Sequence, residues 1–157
     1  IGGGANKPAD VTLEEWNKVI GVNQTGIFLV NKYVIPYMIK NGGGSIVNTS
    51  SMYGLVGAPN SFAYTASKGA INQMTRTLSL AYAENNIRVN AIAPGFVDTA
   101  ILSGVPDEYK KIMAKDMPIG RLGTDDEIAT LVKFLLSEES SFMTGAIISI
   151  DGGYTAK

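Results

Sequence analysis

The hydrophobic pattern in the first quarter of the chain predicts one long helix that begins at a capping box. The Thr12 hydroxyl can accept a hydrogen bond from the backbone N–H of Glu15, and the Glu15 carboxylate can reach back to the backbone of Thr12. The apolar residues that follow lie on nearly all sides of a helix extending to about Ile39, which indicates burial on more than one face. Pro36 is expected to kink its last turns, and the run Asn41–Gly44 to end it.

Short apolar runs further along the chain predict strands, and helical patterns lie between them. Three runs rich in β-branched residues and bounded by turn residues predict buried strands: Ser45–Ser50, Arg88–Ala93 and Ala146–Ile150. Helices are predicted over three further ranges: about Ser61–Glu84, Asp107–Lys115, and from a second capping box at Thr124–Glu127 to Leu136. This order is typical of right-handed crossovers over a parallel sheet in an α/β fold. Three strands are few for a doubly wound sheet, so either the domain is compact or part of its sheet lies elsewhere.

Composition fits one globular domain and excludes several classes of partner. The chain has 157 residues, 45% of them hydrophobic, and its 13 basic and 14 acidic residues give a net charge of −1. Because basic and acidic residues are interspersed, no basic stripe is available for nucleic acid. No apolar run is long enough to span a bilayer, so we expect no membrane partner and a cytoplasmic location.

The absence of cysteine and histidine narrows the possible chemistry. Disulfides, thiolate catalysis, His-based metal sites and His-containing hydrolytic triads are excluded, and we expect no metal in the site. Any acid–base catalysis must therefore come from Tyr, Lys, Asp or Glu side chains.

Tyr64 and Lys68 are four residues apart in the second predicted long helix, so their side chains share one face. A close ammonium favours the ionised form of a phenol, which suits the phenol to exchange a proton near neutral pH. Ser51 comes just past the first predicted strand, at the end of a parallel sheet where ligands bind. A serine and a tyrosine hydroxyl side by side can clamp one carbonyl oxygen. Tyr-x-x-x-Lys alone occurs by chance in many helices, so the surrounding motifs decide its meaning.

Several motifs together resemble the short-chain dehydrogenase/reductase family. They are Val22–Gly26, Gly44–Ser51, Tyr64 with Lys68, Val89–Thr99, Pro118–Gly123, Thr144–Gly145 and Asp151–Gly153. The resemblance covers the whole chain in one order and spacing. It implies an oxidoreductase that uses NAD or NADP to transfer a hydride to or from a carbonyl or secondary alcohol substrate. It also implies that residues 1–157 are the C-terminal, catalytic and substrate-binding portion of one three-layer α/β/α, Rossmann-like doubly wound domain.

The resemblance implies catalytic roles for four residues. Tyr64 would exchange a proton with the substrate oxygen, and Ser51 would polarise that oxygen. Lys68 would assist Tyr64 and hold the nicotinamide ribose. Asn23 would bind a water molecule that connects Lys68 to solvent, and an amide in the middle of an apolar helix needs such a partner because burying it unsatisfied costs about 1–3 kcal/mol.

Further residues are expected to surround the cofactor and the substrate. The loop after the second strand would meet the nicotinamide carboxamide, through the backbone of Val97 and the hydroxyl of Thr99. The cofactor-binding set is therefore Tyr64, Lys68, Pro94, Gly95, Val97 and Thr99. The expected substrate-lining set is Ser51, Met52, Tyr53, Tyr64, Phe96 and Leu102. The segment Ala100–Lys115 is expected to act as a mobile lid.

Two other classes of function stay open. One is a binding or regulatory protein that kept this fold and lost catalysis, which the presence of Ser51, Tyr64 and Lys68 together argues against. The other is an isomerase or dehydratase on the related extended fold. Few residues follow Asp151–Gly153, which leaves little room for the larger substrate domain expected there.

The chain lacks a counterpart of the glycine-rich turn that holds the pyrophosphate in the first half of the family's domain. The run Gly2–Lys7 lacks the spaced Gly-Lys-Ser/Thr ending of a phosphate loop, so Ile1–Asp10 is interpreted as an ordinary loop. We therefore expect the chain to work with an N-terminal portion of the same protein. Both long helices carry small or apolar residues on more than one face, which, with the resemblance, predicts a homodimer or homotetramer.

Overall fold

The computed structural model describes residues 1–4 and 6–157 and contains a parallel sheet flanked by helices. The strands are β1 (Gly44–Thr49), β2 (Ile87–Pro94) and β3 (Ile147–Ile150). They pair side by side in that order, and both pairs are parallel. All three predicted strands are present, and the predicted α/β fold with a parallel sheet is confirmed. The carboxyl ends of the strands therefore meet at one edge.

The first long helix is interrupted, which the sequence did not predict. Helices α1 (Leu13–Ile20) and α2 (Gly26–Lys40) flank a π-helical turn at Gly21–Thr25. Pro36 lies inside α2, which continues to Lys40. Short π turns inside helices often occur at functional sites, and this one contains Asn23.

The remaining helices follow the predicted ranges to within a few residues at their ends. They are α3 (Phe62–Tyr82), α4 (Asp107–Asp116) and α5 (Asp125–Leu136). The predicted loop Ile1–Asp10 contains one short 3₁₀ turn at Pro8–Asp10, and Ala5 lies outside the described residues. Along the described chain, none of the helices combines the length and the apolar character needed to cross a membrane.

One of the two predicted capping boxes is complete and the other is not. Thr124 and Glu127 satisfy each other's backbone N–H groups at the start of α5, as predicted. At the start of α1, the Thr12 hydroxyl accepts from the Glu15 N–H, but the Glu15 carboxylate does not reach back. It accepts instead from the backbone N–H of Gly4 and from the Asn6 amide. The second half of that prediction was wrong, because the preceding loop folds close enough to supply better donors.

Helices cover both faces of the sheet. Residues 45 and 48 of β1 point to opposite faces because side chains alternate along a strand. Ser45 donates a hydrogen bond to the Leu135 carbonyl of α5 (2.8 Å), whereas the Asn48 amide donates to the Thr75 hydroxyl of α3 (3.0 Å). Helix α5 therefore lies on one face and α3 on the other, which gives the three layers of the predicted fold.

The apolar core on the α3 face joins α2 to the sheet. Ile35 of α2 packs with Ile87 and Val89 of β2, and each of the three is at most 3% exposed. Partly buried residues complete this cluster: Met38, Ile46, Leu78 and Tyr82. Ile87 and Val89 belong to the first half of β2. The core therefore holds the amino-terminal half of the strand, and the carboxyl end of the strand lies outside this cluster.

Candidate active site

The end of β1 separates the two serines that follow it. Ser50 is 2% exposed, and its hydroxyl donates a hydrogen bond to the Lys68 carbonyl of helix α3 (3.0 Å). Ser51 begins a 3₁₀ turn at Met52–Gly54, and its oxygen accepts from the Tyr53 N–H (3.2 Å). That bond leaves the hydroxyl hydrogen of Ser51 available, which favours Ser51 over Ser50 as the serine that meets a substrate.

The structure brings Tyr64 and Lys68 together at the start of α3. The Lys68 Nζ lies 5.6 Å from the centroid of the Tyr64 ring. The same nitrogen donates to the Thr49 carbonyl at the end of β1 (2.8 Å). Burial lowers the pKa of the Lys68 ammonium. The phenol, the ammonium and the Ser51 turn are thus all positioned by the carboxyl end of one strand and by the helix that follows it.

Asn23 is held by two residues that are distant in the sequence, Ile1 and Ser67. Its Oδ1 accepts from the Ile1 nitrogen (2.7 Å), and its Nδ2 donates to the Ile1 carbonyl (2.8 Å) and to the Ser67 hydroxyl (3.1 Å). Asn23 is 7% exposed, so these bonds satisfy a buried amide. Its predicted link to a water beside Lys68 stays a prediction.

Ser67 was missed by the sequence analysis. It is fully buried, and its hydroxyl donates to the Tyr64 carbonyl (2.7 Å) while it accepts from Asn23. The π turn of the first long helix is therefore tied to the helical turn that carries Tyr64. A small polar residue beside Lys68 on a tightly packed helix was the available signal.

The loop after β2 is fixed at Gly95. Its N–H donates to the Ile150 carbonyl of β3 (3.1 Å), directly after Pro94 closes β2. A Cβ atom at Gly95 would lie 2.8 Å from the Asp151 Cα, which is too close for a side chain. The close approach of two backbones explains the glycine, and it sets the direction in which the following loop leaves the sheet.

Val97 and Thr99 extend this loop along the edge of the site. Val97 forms an isolated parallel bridge with Gly123, in which the Gly123 N–H donates to the Phe96 carbonyl and the Asp98 N–H donates to the Gly123 carbonyl, both at 2.9 Å. Since its neighbours make these bonds, the N–H and C=O of Val97 itself point the other way. Thr99 precedes a 3₁₀ turn at Ala100–Leu102 and does not cap that turn with its hydroxyl.

Of the expected substrate-lining residues, Tyr53 and Phe96 lie together. Their rings meet edge to face, with centroids 6.1 Å apart. Tyr154, which the sequence analysis missed, meets Tyr53 in the same way at 6.0 Å. Burial, followed by hydrogen bonding with Tyr154, raises the pKa of the Tyr53 phenol. Met52 is 1% exposed, and its contact with a substrate stays a prediction.

The predicted lid Ala100–Lys115 consists of a short 3₁₀ turn, a connection and most of the helix that was predicted there. Its first part is the turn that contains the partly buried Leu102, and its second part is α4. A salt bridge between Lys110 and Asp98 (3.0 Å) links α4 to the loop after β2. Ile101 is 89% exposed, so apolar surface on this segment is open. The movement of the lid and the contact of Leu102 with substrate stay predictions.

A cavity of about 510 Å³ lies beside the candidate site. It is lined by residues of the loop after β2, the end of β3, the connection before α5 and α5 itself, including Phe96, Met117, Ile128 and Asp151. Ser51, Tyr64 and Lys68 do not line it. The described residues contain no group of three or more acidic side chains suited to a metal ion.

A salt bridge between Arg121 and Glu127 anchors the segment before α5, which contains the bridge partner of Val97. The guanidinium donates to both carboxylate oxygens (2.9 and 2.6 Å), and Glu127 also accepts from the Thr124 N–H (2.9 Å). These bonds, those from Arg121 first, lower the pKa of Glu127 to about 2. Gly123 immediately precedes Thr124. The ion pair therefore supports the β-bridge between Gly123 and Val97, a residue of the loop after β2.

The substitution Glu127→Gln is expected to lower the thermal stability at neutral pH and to have less effect in acid. The folded-state pKa lies below the ordinary value of about 4.3, so the ionised carboxylate stabilises the fold above that pH. The contribution is lost as the pH falls toward about 2. Thermal unfolding of both forms should therefore show Tm values that converge in acid, with Glu14→Gln as the matched control. A Tm difference that stays constant from neutral pH into acid would contradict this expectation. The effect should be modest because the pair is exposed.

Comparison with known proteins identifies relatives along nearly the whole chain. The family model described as enoyl-(acyl carrier protein) reductase matches residues 2–155. The cis-4-hydroxycyclohexanecarboxylate dehydrogenase of Sinomonas cyclohexanicum is 42% identical over 94% of this chain and 59% of its own length. The 3-oxoacyl-[acyl-carrier-protein] reductase FabG of Thermotoga maritima is 46% identical over 89% of this chain and 57% of its own length. The chain thus spans less than two thirds of the length of these relatives.

Comparison of structures agrees with the comparison of sequences. The solved structure of ElxO with NADP bound superposes with a TM-score of 0.95 and 32% identity, over 100% of this chain and 64% of that one. Sequence, fold and the placement of Ser51, Tyr64 and Lys68 lead to the same conclusion. This chain belongs to the short-chain dehydrogenase/reductase family.

Proposed function

We propose that the protein containing this chain transfers a hydride between NAD or NADP and a carbonyl or secondary alcohol substrate, with Tyr64 as general acid or base. The observation that carries this proposal is the placement of Tyr64 and Lys68 one helical turn apart, with Lys68 bound to the end of β1 beside Ser51. A proton donor, a cation and a second hydroxyl then stand at the edge of the sheet where α/β folds bind their ligands.

The Tyr64 and Ser51 side chains have different roles at the substrate oxygen. In the reducing direction the Tyr64 hydroxyl donates a proton to that oxygen as negative charge develops on it. The Ser51 hydroxyl donates a second hydrogen bond to the same oxygen, because its own oxygen is already held by the Tyr53 N–H. In the oxidising direction the Tyr64 oxygen accepts the hydroxyl proton of the alcohol, and the Lys68 ammonium stands beside the Tyr64 ring.

The residues present fit the nicotinamide half of a dinucleotide. Lys68 uses one donor on the Thr49 carbonyl and has two left for ribose hydroxyls. The backbone N–H and C=O of Val97 point away from Gly123 and suit an amide such as the nicotinamide carboxamide. The Thr99 hydroxyl, which does not cap its own turn, can join them. When bound, the cofactor supplies or accepts the hydride.

The relatives support the class of reaction. One solved relative is titled as a complex with NADP, and two curated relatives are named as a dehydrogenase of a hydroxycyclohexane acid and a reductase of an oxoacyl group. Small cyclic alcohols and ketones, and oxoacyl compounds, are therefore the first substrates to try. The apolar neighbours Tyr53 and Phe96 fit the less polar members of this group.

A cofactor-linked absorbance assay of the full-length protein tests the proposal. We expect turnover of at least one ketone or secondary alcohol with NADH or NADPH, or with their oxidised forms. Binding of cofactor without turnover across the panel would favour the non-catalytic alternative. Release of a dehydrated or isomerised product without net change in the cofactor would favour an isomerase or dehydratase.

We further propose that the protein forms a homodimer or homotetramer through α2 and α3. Large apolar side chains on these helices are 43–83% exposed: Phe28, Val30, Tyr33, Val34, Tyr37, Phe62 and Leu80. Patches of this kind usually mark an interface, and a second copy is the simplest partner. Sedimentation should show a dimer or tetramer at micromolar concentration, and a monomer would contradict it.

The remaining proposals concern the whole protein. We propose that residues 1–157 are the C-terminal catalytic portion of one domain, and that cofactor binding also needs an N-terminal portion of the same protein. The relatives support this, since the chain matches 57–59% of their length. A cytoplasmic location is likewise proposed, and cell fractionation tests it.

A further inference from the structure

The segment after β3 is folded into a compact turn by one carboxylate. Asp151 is 8% exposed, and its oxygens accept from the Gly153 N–H (3.0 Å), the Thr155 N–H (2.9 Å) and the Thr155 hydroxyl (2.6 Å). Burial alone would raise the pKa of Asp151, but the hydrogen bonds from Thr155 and Gly153 lower it. Gly152 and Gly153 have φ values of +60° and +88°, which glycine adopts readily. The chain therefore reverses direction here in a defined way.

This turn carries Tyr154 to the candidate site. The Tyr154 ring meets Tyr53 edge to face, with an angle of 82° between the rings, and Tyr53 meets Phe96 at 83°. Tyr53 is two residues beyond Ser51, and Phe96 lies in the loop proposed to hold the nicotinamide. The three rings form one wall, which we call the aromatic wall (Tyr53, Phe96 and Tyr154).

The outer side of the aromatic wall is tied to α4. The Lys157 Nζ lies 4.7 Å from the centroid of the Tyr154 ring. The same nitrogen donates to the Asp116 carbonyl, the last residue of α4, at 2.8 Å. Tyr154 is thus held between the Tyr53 ring on one side and a cation anchored on the neighbouring helix on another. These contacts orient the Tyr154 ring against Tyr53.

We propose that Tyr154, positioned by Asp151, is a specificity-determining residue that limits the size of the substituents on the substrate carbonyl. The proposal deepens the proposed function and rests on it. The ring adds a third aromatic surface to a wall that begins beside Ser51, so it restricts the space next to the substrate oxygen. The substrates favoured by this wall are compact or monocyclic carbonyl compounds and their alcohols, and bulky bicyclic or branched ketones are disfavoured.

The test compares ketones of increasing bulk with the full-length protein and its variants. Tyr154→Ala is expected to raise kcat/KM for bulky ketones relative to a small one by about tenfold or more, the range expected when a pocket gains room for extra carbon atoms. The change should appear mainly in KM, and the affinity for cofactor should stay as in the wild type. Tyr154→Trp should shift the size preference in the opposite direction, which keeps the test decisive if the alanine variant folds poorly.

Two controls separate shape from general damage. Tyr154→Phe keeps the ring and should retain the size preference of the wild type. Phe142→Ala removes an aromatic side chain that is fully exposed elsewhere, and it should change nothing. An active wild type whose size preference is unaltered by Tyr154→Ala and Tyr154→Trp would overturn this inference alone. A wild type without turnover on any ketone would overturn the proposed function, and the inference with it.

Discussion

Tyr64→Phe is expected to lower kcat by roughly 10²- to 10⁴-fold, the usual contribution of a positioned general acid or base. The substitution removes one hydroxyl and keeps the ring, which lies beside the Lys68 ammonium on the same face of α3. The backbone of this turn should not move, because the Ser67 hydroxyl holds the Tyr64 carbonyl and not its side chain. The loss should therefore appear in the chemical step.

Binding measurements distinguish lost chemistry from lost structure in this variant. Cofactor affinity, measured by fluorescence titration of the full-length protein, should stay close to that of the wild type. Tyr82→Phe is the matched control, because Tyr82 packs on the apolar core around Ile87, far from the carboxyl ends of the strands. Turnover by Tyr64→Phe at the rate of the wild type would show that another group handles the proton.

Replacing Lys68 by methionine is expected to reduce kcat/KM by about 10²-fold or more, the cost of removing one important donor from a catalytic site. Methionine keeps the bulk of the side chain but loses the bond to the Thr49 carbonyl and the charge beside Tyr64. Unlike Tyr64→Phe, this change should also weaken cofactor binding, because the proposed ribose donors are lost. Steady-state kinetics and the cofactor titration measure the two effects separately.

The dependence of the rate on pH distinguishes an electrostatic role of Lys68 from a purely structural one. In the wild type the rate should fall at alkaline pH as the Lys68 ammonium loses its proton, and Lys68→Met, which has no such group, should lack that fall. In the wild type, burial lowers the pKa of Lys68, so the assisting charge is lost at a lower pH than for an exposed lysine. Lys68→Arg keeps the charge at alkaline pH, so it should also lack that fall, and it should recover only part of the rate because a guanidinium has a different shape. An unshifted profile in Lys68→Met would contradict the electrostatic role.

Local sequence patterns were sufficient to predict the positions of the strands and of most helix ends. The three strands are short β-branched runs whose period and flanking glycines leave few alternatives, and the box at Thr124–Glu127 depends on residues three positions apart. The box at Thr12 failed in its second half because Gly4 and Asn6 compete for the Glu15 carboxylate. That competition depends on how the preceding loop folds, and the capping-box pattern at the start of the helix contains no information about that loop.

The candidate site was predictable where its residues are close in sequence. Tyr64 and Lys68 share a helix face by spacing alone, and Ser51 follows a strand end. Tyr154 was missed because its contact with Tyr53 spans about a hundred residues and depends on the turn that Asp151 holds. The partners of Asn23 were also missed, since they lie 22 and 44 residues away and meet only in the folded chain. Contacts of this kind follow from packing rather than from any local pattern.

A double-mutant cycle on kcat/KM tests most directly whether the Ser51 and Tyr64 hydroxyls act on the same substrate oxygen. Ser51→Ala, Tyr64→Phe and the double variant of the full-length protein would be measured with one ketone and one cofactor. Groups that act together on a single atom give losses that do not add, so the double variant should lose little more than the worse single variant. Losses in free energy that simply add would show that the two hydroxyls act independently, and would contradict the shared site.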